Sequence, residues 1–176
     1  SEMCIRDSFW SMLQGFQTSG KCIEKAHYRI RYMKSFRPLS VKEDIEFKEA
    51  RPILYLNTAA VASLFNSRNA GSTSNRSNWS TIMSYLKSHA SYLGLKQDRF
   101  TILLPSGLPD YTIDIVNGEQ VKKVKVNRPK ALCFDYLQLK ETFGLDLETE
   151  VVAEVQDMKE EMTSGHKQYP EQKGLF

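Results

Sequence analysis

Apolar positions along this chain change period several times, and each change marks an element. "SFWSMLQGF" (8–16) and "CIEKAHYRIRYMKSF" (22–36) carry apolar and aromatic residues at mixed three and four spacings, which predicts helix on either side of a break at Thr18, Ser19 and Gly20. "SVKEDIEFKEA" follows Pro38 with Ser40 and Glu43 placed as a capping box, so a further helix is expected there. "ILYLN" (53–57) is a short apolar strand, and Asn57 can cap a helix over "TAAVASLFNSRN". After the loop "AGSTSN", Trp79, Ile82, Met83 and Leu86 form a helical face. "RFTILLP" (99–105) predicts a strand. "YTIDIVNGEQVKKVKV" predicts a hairpin, because Tyr111, Ile113 and Ile115 alternate with polar residues ahead of an Asn117-Gly118 turn. "ALCFDY" is another strand candidate, and "LQLKETFG" a short helix stopped by Gly144.

Composition shifts divide the chain further. Residues 1–8, "SEMCIRDS", resemble translated sequencing-adapter read-through; they are set aside, and the true N-terminus is then expected upstream. Residues 9–51 read as a helical connector or the end of an upstream domain, and residues 52–144 as an independent domain. From Glu141 to Glu161 acids dominate and Lys159 is the single base, so residues 145–176 are expected to be an acidic, disordered tail. The whole has 176 residues, 41% apolar and 26% charged, with a net charge of +3, as in ordinary globular proteins. Cys4, Cys22 and Cys133 are too widely spaced for a zinc site or a disulfide framework. No run approaches the ~20 apolar residues of a membrane span. A cytoplasmic chain with reduced thiols is expected, with neither cofactor nor metal.

Candidate chemistry begins with "GFQTSGKC" (15–22), where Gly15, Gly20 and Lys21 match a phosphate-binding loop but Cys22 replaces the magnesium-binding hydroxyl. A working loop follows a buried strand and opens a helix, whereas helical spacing precedes Gly15; a break between helices is the expectation. His27, His89 and His166 are scattered, with no cysteine at a dyad spacing. No catalytic set emerges, and the chain is expected not to hydrolyse ATP.

Charge distribution says more. Between Ala50 and Gln97 there is no Asp or Glu, while Arg51, Arg68, Arg76, Lys87 and Lys96 fall in that window. The second half of the hairpin adds Lys122, Lys123 and Lys125, followed by Arg128 and Lys130. The polar face of the second helix carries Arg76, Ser77, Asn78, Ser80, Thr81 and Lys87 without an acid, which suits phosphate contact. The same face also fits an ordinary solvated helix.

Strand, helix, loop, helix, strand and basic hairpin, in that order, predict an α+β winged helix-turn-helix behind an N-terminal helical segment. "LYLNTAAVASLFNSRN", "SNWSTIMSYLKSHASYLGLKQDRF" and the wing closed by "KALCFDY" resemble the C-terminal winged-helix domain of phage and mobile-element primase-helicases, the poxvirus-type and related Bacteroidetes replication proteins. The resemblance covers about half the chain and rests on pattern. It implies an ATPase core upstream and DNA as partner, either double- or single-stranded. Arg76, Ser77, Asn78, Ser80, Thr81 and Lys87 would then meet the groove, and Lys122, Lys123, Lys125 and Arg128 the flanking phosphates. Within the wing, Lys123 and Lys125 are expected to face out and Val124 and Val126 to face the core. Two other functions fit the pattern: a stand-alone transcriptional regulator, and a protein-interaction module of a phage or conjugative assembly.

Overall fold

The computed structural model describes the backbone of residues 2–68 and 78–148, and side chains within 9–66 and 79–148. The chain divides after Leu145 into two compact units, and the first holds every described element. Its order is α1 (Glu2–Thr18), β1 (Tyr28–Phe36), β2 (Ile45–Asn57), α2 (Thr58–Arg68), α3 (Asn78–Ser88), β3 (Tyr92–Gln97), β4 (Phe100–Thr101), β5 (Tyr111–Val116), β6 (Glu119–Val124), β7 (Val126–Asn127), β8 (Lys130–Asp135) and α4 (Tyr136–Phe143). The expected tail falls almost wholly on 149–176, outside the described residues.

A four-stranded sheet in the order β1-β2-β8-β3 replaces the expected winged helix. All its described pairings are antiparallel. The expected helices over 22–36 and 41–51 are instead β1 and the first half of β2. Tyr28, Ile30 and Tyr32 alternate with Arg29, Arg31 and Met33, and Ile45 and Phe47 with Glu46 and Lys48. Period two with β-branched and aromatic residues favours a pleated surface over a helix. Pro52 is tolerated because β8 pairs β2 only from Ile53 onward, so no ladder bond is lost on that side. Residues 9–51 supply most of α1, all of β1 and the first half of β2 to the same compact unit.

Helices pack on one face of this sheet. α1 brings Phe9, Trp10 and Leu13, each at most 2% exposed, into an aromatic cluster. Phe9 stacks on Phe65 of α2 at 4.9 Å, and Trp10 meets Phe134 of β8 edge-on at 5.1 Å. Trp79, on the apolar helical face read from the sequence, is half-buried against Phe9 and Phe65. On the opposite face lie Phe36, Ile53, Tyr55, Phe100, Ala131 and Cys133. That face is covered by the sheet itself, which curls until its outer strands meet. Arg31 of β1 pairs with Asp98 beyond β3. The Leu39 N–H donates to the Leu95 carbonyl at 2.9 Å. Pro38 lies so close to Gly94 that a Cβ there would sit 2.7 Å from the proline Cβ.

Three other expectations hold. Asn57 begins α2, with the Ala60 N–H donating to its Oδ1 at 3.5 Å. The Asn117-Gly118 turn has both residues at positive φ, 53° and 82°, as a two-residue hairpin turn requires. Gly144 caps α4 at φ 67°.

Candidate functional site

"GFQTSGKC" ends a helix and opens none. The N–H groups of Ser19, Gly20, Lys21 and Cys22 donate back to carbonyls of Gly15, Gln17 and Phe16, so they are not free to cradle phosphate. The next element is β1, not the second helix expected. Cys22 is buried, and burial pushes its thiol up to about 12; the Cys133 thiol is raised by the same cause. Neither is a nucleophile near neutral pH.

Lys21 nevertheless reaches a site. It stands with Gly20 on the rim of a groove of about 670 Å³ at the N-terminus of α2. Ala59, Ala60 and Ser63 of α2 line one side, and Thr101–Gly107 with Asn127 and Pro129 the other. Among the described residues no Asp or Glu lines it. The N–H groups of Thr58 and Ala59 precede the first intrahelical bond and give this end partial positive charge. The Thr58 hydroxyl is buried without a hydrogen-bond partner.

His27 also lines the groove and is only 5% exposed. Its Nδ1 accepts the Ile23 N–H at 2.9 Å, so the neutral ring carries its proton on Nε2. Burial lowers the pKa of this ring below the usual 6.5 and keeps it neutral. Asn57 holds the segment: its N–H donates to the His27 carbonyl at 2.9 Å and its Nδ2 to the Ala26 carbonyl at 3.0 Å.

An arginine cluster continues from the groove along the seam where the sheet closes. Arg29 and Arg31 follow His27 at alternate positions, and Arg99 stands two residues before the groove residue Thr101. Arg31 binds Asp98 through both ends of its fork, Nε to Oδ2 at 2.5 Å and Nη2 to Oδ1 at 2.8 Å. Asp98 also accepts the Arg99 N–H at 2.7 Å. Arg29 is half-buried, and its buried Nε has no hydrogen-bond partner among the described residues. Burial first, then the Arg31 and Arg99 charges, weaken the cationic form of Arg29. Three guanidiniums thus gather about Asp98, with Glu24 as the second acid acting on Arg29.

Residues expected from the sequence to bind DNA are distributed differently. Arg76 and Ser77 lie outside the described residues, as does the side chain of Asn78. Ser80, Thr81 and Lys87 are exposed on α3, which packs on α1 and β3 and contributes nothing to the groove lining. The hairpin β5–β6 is an arm rooted beside the groove, where the Ile102 N–H donates to the Lys125 carbonyl and the Lys125 N–H to the Asp110 carbonyl. Its valines do not face a core, since every residue of β6 is exposed. Lys123 and Lys125 pair with Asp114 and Asp110, each at 3.3 Å, and Lys122 lies 4.2 Å over the Tyr111 ring. Arg128 is exposed, and its carbonyl accepts from Gln97 Nε2.

Lys21, His27, Arg29, Arg31 and Arg99 are not legible as a set in the sequence. Alternating arginines in "YRIRY" are the available signal, but reading them requires recognising β1 as a strand. Among the described residues no group of His, Cys, Asp and Glu is placed to hold a metal, and no helix is long and apolar enough to cross a membrane. No family model, curated protein or solved structure matches this chain.

Proposed function

We propose that this chain is a DNA-binding module that grips phosphates along the seam of its curled sheet. The arginine cluster carries this reading: Arg29, Arg31 and Arg99 gather around Asp98, with more positive charge than Asp98 and Glu24 together offset. A guanidinium fork matches the oxygens of a phosphate, which repays the cost of holding like charges together. The acid-free groove beside the cluster extends the same electrostatic surface. Lys122 and Arg128 add to it; Lys123 and Lys125 join by exchanging exposed carboxylate partners for phosphate, an exchange of small cost at the surface.

Fluorescence anisotropy with labelled duplex and single-stranded oligonucleotides tests this. Binding without sequence preference and Kd in the range of about 1–100 μM near physiological salt is expected. No binding of either oligonucleotide at low salt overturns it. Exposed apolar residues on the arm, Ile113 at 65% and Ile115 at 74%, favour a second reading as a protein-interaction module, in which the arm pairs with a strand of a partner.

A further inference from the structure

The groove at the start of α2 is too wide and too mixed in character to be only a patch of positive surface. Three kinds of donor converge on it from three parts of the chain. Lys21 brings a full charge from the turn after α1 and has no ion-pair partner among the described residues. The first turn of α2 brings backbone N–H groups that precede the intrahelical bonds, and the positive end of the helix dipole. His27 brings an Nε2–H whose direction is fixed by the bond at Nδ1. That ring is 5% exposed, lines the groove, and has no partner for Nε2 among the described residues. The Nε2–H opens onto the groove, where water or a ligand oxygen can accept it. Among the described residues no carboxylate lines the groove, so an anion meets no like charge from them there. Ile102, Leu103, Leu104 and Leu64 make the remaining wall apolar. At about 670 Å³ the space has the size of a small-molecule site and exceeds a bare phosphate.

We infer that this groove binds a phosphate monoester, its phosphate seated on the α2 N-terminus between Lys21 and His27 and its organic part lying against the apolar wall. A free nucleotide and the phosphorylated end of a nucleic acid both present this chemistry. The site does not depend on the arginine cluster, although the DNA reading counts the groove as part of its electrostatic surface.

The test is NMR of the His27 ring nitrogens in the whole chain, titrated with a nucleoside 5′-monophosphate, the matching nucleoside, inorganic phosphate, and oligonucleotides with and without a 5′-phosphate. The monophosphate should move the His27 Nε2 signal saturably, and the nucleoside should not. Inorganic phosphate should do so about tenfold more weakly, since it gains nothing from the apolar wall. Lys21 lies on an exposed turn, so Lys21→Gln should leave the melting temperature unchanged and weaken the monophosphate by at least about tenfold, the worth of one charge-assisted bond. A preference for the 5′-phosphorylated oligonucleotide at His27 assigns the site to nucleic-acid ends; preference for the free monophosphate assigns it to a nucleotide. Absence of any saturable shift at about 10 mM monophosphate, well above a millimolar Kd, overturns the inference. So does a Lys21→Gln chain that binds as the parent does. Binding of the oligonucleotide without a 5′-phosphate reports only on the arginine cluster, so its loss would count against the DNA reading alone.

Discussion

Leu54 and Leu56 of β2 lie in a continuous apolar run and Ile113 and Ile115 of β5 in an alternating one; the first pair is 0% and 1% exposed and the second 65% and 74%. Alternation specifies a strand and its two faces; it does not say whether anything covers them. β2 lies between β1 and β8 and faces the helical layer, so each leucine adds to a shared core. The β5–β6 pair has no third strand among the described residues, and both faces meet solvent. A lone two-stranded ribbon is marginal in water. This one is held by its tight turn, by its root at Asp110 and Lys125, and by cross-strand contacts such as Lys122 over Tyr111.

Substitution separates the two regions most sharply at Trp10 and Ile115. Trp10→Ala should cost about 3–5 kcal/mol, because the ring fills the space between Phe134 and Phe143 and leaves a cavity. Ile115→Thr should stay within about 0.5 kcal/mol. Chemical denaturation of the two variants checks the contrast; equal losses would mean that the arm is folded into the core.

Gly94→Ala asks whether the curl of the sheet is a real constraint. At φ 132° and with Pro38 in the way of a Cβ, alanine should cost about 2–4 kcal/mol through strain and overpacking. A near-neutral effect on thermal stability would mean that the β1–β2 connection does not close over β3.

His27 gives a smaller effect with a definite sign. Its folded pKa lies below the ordinary 6.5, so the unfolded chain takes up the proton first as pH falls. The stability that His27 contributes is complete above about pH 6.5 and is lost as pH falls toward the lower folded value. NMR titration of the ring should give a midpoint below 6.5 in the folded chain, and a midpoint at or above 6.5 would place the ring in water.

Much of the fold is written locally. Asn57 before "TAAVASLF", Asn117-Gly118, and Gly144 after "LQLKETF" each force a structure through their own side chain or φ, and the structure has all three. β1 and the first half of β2 read as helix because aromatic and charged residues interleave there at spacings that fit both periods. Without β1 the sheet is lost from the sequence pattern, and the remaining elements fall into winged-helix order. Gly94 inside "YLGLKQ" is the local mark of close backbone approach in β3, but nothing near it in sequence points to Pro38 as the neighbour. The site is less legible still. Arg29 and Arg99 are distant in sequence and meet only because the sheet closes, and His27 becomes a donor only through its bond to Ile23. Lys21 stands out in the sequence through a motif that the turn does not form.

Sheet seam and arm also differ in what each contributes to the proposed function. Binding constants for a duplex oligonucleotide, measured against salt concentration, should be compared among the parent chain, Arg29→Gln with Arg99→Gln, and Lys123→Ala with Lys125→Ala. The arginine pair should flatten the slope of log K against log salt by about 1.8, near 0.9 for each lost phosphate contact, and weaken unrelated sequences alike. The lysine pair, already engaged with Asp114 and Asp110, should flatten it by about one unit or less. An unchanged slope in the arginine variant would contradict the account and move the interface away from the seam.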